Sequence, residues 1–354
     1  RTGTGTSDYE DVLLLPGGYD TNQDLDTPAA ADTAGRAVFA VDVTDGSVSS
    51  LNFNAANFSG MNNCFTDVMG FDSNGDSFTN RVYAGDLAGN MWAFEDDDTT
   101  PADTIVGGDG NWSGRKLFSA SAVDGVQRKI FYSPDAVAEY GEDMIFFGTG
   151  DRADPEETGV DNRIYAIRND REDSSTFTTL TESDLVDVTD NLIQNGTESE
   201  QEAVKTALDS SRGWYFELEN SGEKIISSVI VYAGVLYFTT YTPESSTAST
   251  PVTDPCATIT GRGVARFYAV NYLTGAAVKD YSSVTETDTE GNVIDGLGKN
   301  DRSKVIGTSI ASAPVIAVLP KGAVILIGVE GGIEKEDPVE QISMHKFYWR
   351  RGSN

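Results

Sequence analysis

The sequence predicts an all-β fold, and within that class a modified β-propeller with long loop inserts. Glycine is abundant, at 36 of 354 residues, while runs of helix-forming residues are few. Short strands joined by many tight turns are typical of all-β proteins. In addition, a hairpin of two apolar strands recurs at a spacing of tens of residues. A repeat of that length is expected when similar blades are arranged around one axis.

Each predicted hairpin combines two kinds of strand. The first kind is an apolar run next to a glycine, and it occurs at 11–18, 81–86, 143–150, 234–240 and 323–328. The second kind carries aromatic residues, in most copies beside a small one, and it occurs at 38–42, 91–95, 163–167, 266–271 and 346–349. Continuous apolar runs of this length are consistent with fully buried strands. A β-sandwich is the structural alternative, but it does not predict the recurring aromatic–alanine pattern.

The segments between hairpins are polar and read as inserts. Residues 171–212 contain one short predicted helix, 199–208, whose Ser/Glu-rich start suits a helix N-terminus. Residues 242–262 and 283–303 are expected to be surface loops, and 115–140 and 212–232 are candidates for further blades. Because no linker divides the chain, we expect residues 1–354 to form a single domain.

The charge balance limits the possible partners. The net charge is −31 and the pI is about 4.1, so the protein is expected to repel nucleic acid and anionic lipid. The acidity suits an exported protein in salty or calcium-containing water, although a solvated surface that maintains solubility explains it equally well. The chain opens without an apolar signal segment, so we expect a mature or excised fragment. The apolar run 322–328 is too short to span a bilayer.

Two cysteines, Cys64 and Cys256, leave two alternatives open. In an exported protein they can form one long-range disulfide bond. Otherwise they are two separate free thiols, because their spacing fits no metal site.

The segment from Asp72 to Asn80 has the spacing of a calcium-binding loop. Side-chain oxygens stand at positions one, three, five and nine, and the backbone carbonyl of position seven can add another ligand. The candidate ligands are Asp72, Asn74, Asp76, Phe78 (through its carbonyl) and Asn80. Position twelve is Tyr83, so the bidentate glutamate of an EF-hand is missing, and no helix pattern flanks the segment. We therefore predict a calcium loop between two strands; the alternative is a metal-free turn, since Asp, Asn and Gly also favour turns.

A second acidic stretch, Asp20 to Asp26, also alternates oxygen side chains, at Asp20, Asn22, Asp24 and Asp26. It contains no glycine and is followed by Thr-Pro rather than by a strand. The two interpretations are a solvated acidic loop and a second cation site.

The sequence contains no recognisable catalytic motif. His345 is the single histidine and has no nucleophile motif nearby. No His/Cys cluster has zinc-site spacing, and Gly107–Gly110 is not followed by the Lys-Ser/Thr of a phosphate loop. We therefore expect a protein that is not an enzyme. The alternative is a quinoprotein-like dehydrogenase, because the hairpins resemble those of pyrroloquinoline quinone propellers, although the four tryptophans do not recur at one blade position.

The segment Val82-Tyr-Ala-Gly-Asp-Leu-x-Gly-Asn-x-Trp92, directly after the predicted calcium loop, is the most distinctive motif of the chain. Further characteristic segments lie at 17–20, 39–42, 129–135, 145–152, 213–218, 222–223, 237–243, Cys256 and 349–350. In this order the segments together resemble the PilY family of type IV pilus biogenesis and tip-adhesin proteins. The resemblance covers nearly the whole chain and corresponds to the C-terminal propeller domain of the family.

The resemblance implies a propeller of about seven blades with calcium in the 72–80 loop. It also implies an extracellular protein at the pilus tip, which contacts minor pilins and a host or abiotic surface and acts in pilus assembly, retraction control and adhesion. Family members often have Asp at the third and ninth loop positions, where this chain has Asn74 and Asn80. Fewer carboxylates predict a weaker calcium site.

Overall fold

The computed structural model describes residues 11–28, 30–48, 53–54, 58, 60–75, 77–96, 112–170, 178–244, 263–320 and 322–339. Within these ranges the chain forms nineteen β-strands and two short α-helices. The predicted all-β class is therefore confirmed.

The strands form five sheets in the described part of the chain. All strand pairs are antiparallel except the parallel pair β11–β12. Sheet I contains β1 (Val12–Gly17), β2 (Gly35–Asp42) and β3 (Phe53–Asn54). Sheet II contains β4 (Met69–Phe71), β5 (Arg81–Gly85), β6 (Asn90–Asp96) and β7 (Trp112–Ser119).

Sheet III contains β8 (Asp135–Ala138), β9 (Glu142–Gly148), β10 (Arg163–Asp170), β11 (Val186–Asp187) and β12 (Gly213–Glu217), in the order β11-β12-β10-β9-β8. Sheet IV contains β13 (Ile230–Tyr232), β14 (Val235–Pro243), β15 (Gly263–Asn271) and β16 (Ser303–Gly307). Sheet V contains β17 (Val315–Leu319), β18 (Gly322–Val329) and β19 (Gly332–Glu336).

Four of the five predicted hairpins are present as strand pairs: β1–β2, β5–β6, β9–β10 and β14–β15. For the fifth, the strand predicted at 346–349 lies outside the described residues, and β18 pairs with β17 and β19. The segments 115–140 and 212–232, considered as further blades, instead supply flanking strands to sheets II, III and IV. The number of blades stays a prediction.

The sheets pack face to face in chain order, with one apolar cluster between each successive pair. The clusters fill the spaces I–II, II–III, III–IV and IV–V. Buried aromatic rings dominate them, for example Trp92 and Phe94 in I–II and Phe118 and Tyr165 in II–III. Large aromatic rings bury much apolar area and fill the space between two packed sheets. This arrangement is that of neighbouring propeller blades.

The insert after β10 contains both helices. Helix α2 (Glu198–Ser210) confirms the predicted helix, while α1 (Leu192–Asn195) was not predicted. The carboxylate of Glu200 accepts hydrogen bonds from the backbone N–H and the hydroxyl of Thr197, at 2.8 and 2.9 Å. These contacts satisfy groups at the helix N-terminus that have no partner within the helix.

Candidate metal site

The predicted calcium loop, residues 72–80, joins β4 to β5. Its predicted position between two strands is therefore confirmed. Gly75 and Ser77 both have positive φ, 78° and 77°, and this left-handed backbone turns the chain back on itself within a few residues. The loop is compact as a result.

The carboxylate of Asp72 is the centre of this turn. One of its oxygens accepts the N–H of Gly75 and the other accepts the N–H of Ser77, both at 2.7 Å. An ionised carboxylate has about four lone-pair positions, so these two hydrogen bonds leave Asp72 able to bind a cation. The loop thus wraps around its first predicted ligand.

The other predicted ligands have different environments. Asn74 is exposed, and the ring of Phe78 is also exposed, which is compatible with a ligand role for its carbonyl alone. Asn80 is buried, and its side-chain oxygen accepts the backbone N–H of Ser73 at 2.8 Å. Asp76 lies outside the described residues. The structure therefore gathers Asp72, Asn74, Phe78 and Asn80 on one loop, with Asn80 also closing its base.

The donor chemistry of this loop fits a hard cation. The predicted ligands offer only oxygen atoms, which calcium prefers. In the part of the chain that the structure describes, no group of three or more His, Cys, Asp or Glu side chains has metal-binding geometry. A calcium site here would combine the carboxylate of Asp72, and that of Asp76 outside the described residues, with amide and backbone oxygens, and two carboxylates predict modest affinity because affinity rises with ligand charge.

Directly below the loop lies a buried polar network that the sequence pattern did not reveal. The hydroxyl of Ser73 lies 2.7 and 2.8 Å from the two carboxylate oxygens of Asp143, on β9 of the adjacent sheet III. The phenol of Tyr83 donates to Asp143 at 3.0 Å. Burial raises the pKa of Tyr83 well above its usual value, so the phenol stays protonated and keeps its donor role.

The network continues between sheets II and III. The side-chain amide of Asn169, on β10, donates to the phenol oxygen of Tyr83 at 2.9 Å and to Glu95 at 2.8 Å. Arg115 forms an ion pair with Glu95 at 3.3 Å and donates to Asn169. Asp143, Tyr83 and Asn169 are completely buried. The predicted calcium loop is thus connected to the interface between sheets II and III.

The second acidic stretch has a structural role in the connection between β1 and β2. Residues 21–24 form a short 3₁₀ turn, and Asp20 accepts the N–H groups of Asn22, Thr33 and Ala34 at 2.7–2.8 Å. Asp24 accepts the hydroxyl of Tyr19. The carboxylate of Asp20 therefore organises this connection and is not a solvated loop charge.

The two cysteines and the single histidine are the remaining candidate residues. Cys64 is a buried free thiol whose pKa is raised to about 12 by burial. Cys256 and His345 lie outside the described residues. No helix within the described ranges is both long and apolar enough to cross a membrane.

Comparison with known proteins finds similarity to one curated protein and to several solved structures. No protein-family model matches the chain. A curated relative, the type IV pilus biogenesis factor PilY1 homolog of Xylella fastidiosa (strain Temecula1), is 28% identical over 283 residues, or 77% of this chain. The chain spans only 20% of that relative's length.

Solved structures support the fold. The crystal structure of the Pseudomonas aeruginosa PilY1 C-terminal domain superposes with a TM-score of 0.58 and 15% identity, covering 92% of this chain and 70% of that chain. A quinohemoprotein alcohol dehydrogenase from Pseudomonas putida HK5 covers 90% of this chain and 37% of that chain, with 14% identity and a TM-score of 0.35, which supports no conclusion about function. The chain is therefore similar to the type IV pilus biogenesis factor PilY1 over most of its length and has the fold of the PilY1 C-terminal domain, and the resemblance to the PilY family is confirmed.

Proposed function

We propose that this chain is the calcium-binding propeller of a protein at the type IV pilus tip, acting in pilus assembly, retraction control and surface adhesion. The observation that carries the calcium part is the 72–80 loop, folded around the Asp72 carboxylate between two strands. The pilus part is supported by the similarity to PilY1 proteins.

In this proposal Asp72, Asn74, Asp76, Asn80 and the carbonyl of Phe78 hold the ion. Calcium supplies two positive charges, which offset part of the local acidity in a chain of net charge −31. The chain's own residues fix the loop: the amides of Gly75 and Ser77 orient the Asp72 carboxylate, and Ser73 orients Asn80. The loop would then keep one conformation at the edge of sheet II.

The proposed activity is binding without turnover. The partners are minor pilins at the pilus tip and a host or abiotic surface, and the location is extracellular. We place the contact surface on the long inserts 96–115, 171–212 and 242–262, since loops on a rigid scaffold commonly carry recognition. Of these, the described part of 171–212 contains α1 and α2, and most of the other two lies outside the described residues.

Calorimetric titration with calcium tests the site. Wild-type protein should release or absorb binding heat that Asp72→Ala and Asp76→Ala abolish, because each substitution removes a carboxylate ligand from a loop that has few of them. Removal of calcium with a chelator should lower the melting temperature of the wild type only, since a ligand that binds the native state stabilises it.

Asp26→Ala is the matched control, because Asp26 is an exposed aspartate in the other acidic stretch. Its binding heat should equal that of the wild type. Binding heat that survives both loop substitutions would exclude this site.

The pilus role is tested separately by introducing Asp72→Ala into the full-length protein. Surface piliation and attachment should fall, and unchanged piliation and attachment would refute the role.

A further inference from the structure

Ser73 occupies an unusual position in the loop. It follows the first predicted ligand, Asp72, and its backbone N–H donates to the side-chain oxygen of the last predicted ligand, Asn80. Its side chain points the other way, into the protein, and the residue is 3% exposed. Any movement of Ser73 therefore moves both ends of the ligand loop.

The anchor for the Ser73 hydroxyl lies in the next sheet. Asp143 is fully buried at the start of β9, and both of its oxygens are within 2.8 Å of the Ser73 hydroxyl. A buried carboxylate is stable only when donors satisfy it. Ser73 supplies one of these donors and Tyr83, on β5, supplies another.

Asp143 cannot easily follow the loop if the loop shifts. Residues 142–148 pair with β10 on one side, and 143–146 pair with β8 on the other. Tyr83 is itself held by Asn169, which contacts Glu95, so the carboxylate is fixed from two sheets. A rigid acceptor of this kind imposes one position on the hydroxyl that binds it.

We propose that Asp143, acting through Ser73, is a positioning residue for the calcium loop. This inference rests on the calcium site proposed above and adds residues that contribute no ligand to the ion. Asp143 fixes Ser73, and Ser73 fixes Asn80 and the start of the loop, so the ligand oxygens are arranged before calcium arrives. Hydrogen-bonding partners behind metal ligands typically change metal affinity 10–100-fold when removed.

The first test is Ser73→Ala, studied by calcium titration calorimetry. The substitution removes the hydroxyl and keeps the backbone N–H that donates to Asn80. We expect the dissociation constant to rise about tenfold with unchanged stoichiometry. Thr79→Ala is the matched control in the same loop, because Thr79 is exposed and is not one of the predicted ligands, and it should bind calcium like the wild type.

The second test separates positioning from a general loss of stability. Asp143→Asn keeps the shape of the side chain, removes its negative charge and replaces one of the two oxygens beside the Ser73 hydroxyl with an amide N–H donor, so it weakens the contact. If both residues act through the one contact, the Ser73→Ala/Asp143→Asn double variant should bind calcium no more weakly than the weaker single variant. Melting temperatures without calcium, measured in parallel, report any effect on folding alone.

Each outcome has a defined meaning. Wild-type protein that binds no calcium refutes the calcium site itself. Calcium binding that Asp72→Ala abolishes but Ser73→Ala leaves unchanged supports the site and refutes the positioning role. Additive losses in the double variant also refute it, because they show two independent effects. If Asp143→Asn fails to fold, the comparison of the calcium dissociation constants of Ser73→Ala and Thr79→Ala still tests the positioning role.

Discussion

Asp20 illustrates how one carboxylate can organise a long strand connection. The backbone N–H of Asn22, followed by that of Ala34, holds the pKa of Asp20 at about 2, well below the ordinary value. These donors come from both ends of the connection between β1 and β2. The ionised carboxylate therefore stabilises the folded state, because the unfolded chain lacks the same donors.

The low pKa predicts a pH-dependent contribution to stability. Since the folded pKa lies below the unfolded one, the stabilisation is present above about pH 4 and is lost as the pH falls towards 2. Asp20→Asn should therefore lower the urea midpoint at pH 7, and the gap from the wild type should shrink between pH 5 and pH 3. Asp26→Asn, at an exposed position, should have no effect at either pH. A gap for Asp20→Asn that is constant from pH 7 to pH 3 would contradict the assignment.

The candidate metal site shows where reasoning from sequence ends. The predicted ligands share one short segment, so their spacing is visible in the chain itself. The contact between Ser73 and Asp143 joins residues 70 positions apart, and nothing local marks them as partners. The one available signal was an aspartate at the edge of an apolar strand, and a charged residue there needs a partner only if the strand is buried.

Three strand-end turns share one hydrogen-bond pattern. In the turns after β2 and β15, the side chains of Asp42 and Asn271 each accept the N–H two residues later. In both turns a glycine of positive φ, Gly46 or Gly275, donates to the carbonyl of the first residue. The turn after β5 is one residue shorter: the side chain of Asp86 accepts the N–H of Ala88, and Gly89 donates to the carbonyl of Asp86. The repeated hairpins are therefore alike in their hydrogen bonds as well as in their apolar pattern.

The Asp86 carboxylate also accepts hydrogen bonds from two side chains of strand β6. Its second oxygen accepts the indole N–H of Trp92 and the side-chain amide of Asn90, both at 2.9 Å, and the residue is fully buried. Burial raises its pKa. This network occupies the segment that most specifically resembles the PilY family, so the motif has a structural explanation in holding Trp92 within the core between sheets I and II.

Equivalent substitutions in two of these turns should have very different effects. Asp86→Asn places an amide donor against the donors of Trp92 or Asn90, and each buried group left unpaired costs about 1–3 kcal/mol. We expect a clear loss of stability in urea unfolding. Asp42→Asn is the matched control and should be nearly neutral, because Asn271 already makes the same contacts in the equivalent turn. Equal losses for the two variants would contradict this account of the turns.

The long central strands were predictable, and the short flanking strands were not. The strands β5, β9 and β14 are almost entirely buried, so both of their faces are apolar and the pattern is local. By contrast β4, β11 and β13 have only two or three residues each. Pairing with a longer neighbour decides their conformation, and that neighbour is not apparent from so short a stretch.

The row of five sheets ends in two faces that carry apolar side chains. On sheet I, Leu13 and Leu15 are 52% and 40% exposed on the face opposite the I–II cluster. On sheet V, Val315, Leu319 and Ile333 share the face opposite the IV–V cluster and are 55–63% exposed. Within the described ranges, no cluster joins sheet V to sheet I. These end faces have the apolar character that the inner sheets use to pack against each other.

Exposed apolar faces of this kind bind hydrophobic dyes and promote self-association. We expect the 354-residue chain to enhance the fluorescence of anilinonaphthalene sulfonate. A Leu13→Lys/Ile333→Lys variant should lose much of that fluorescence. In size-exclusion chromatography with light scattering, the variant should also elute closer to the position of the monomer. Val293→Lys is the control, because Val293 is an isolated exposed residue in a turn and single exposed apolar residues are ordinary. Dye binding that the double variant leaves intact, or that Val293→Lys removes equally, would show that the end faces are not the exposed apolar surface of this protein. A loss confined to the double variant would identify them as surfaces that behave like the uncovered sides of propeller blades.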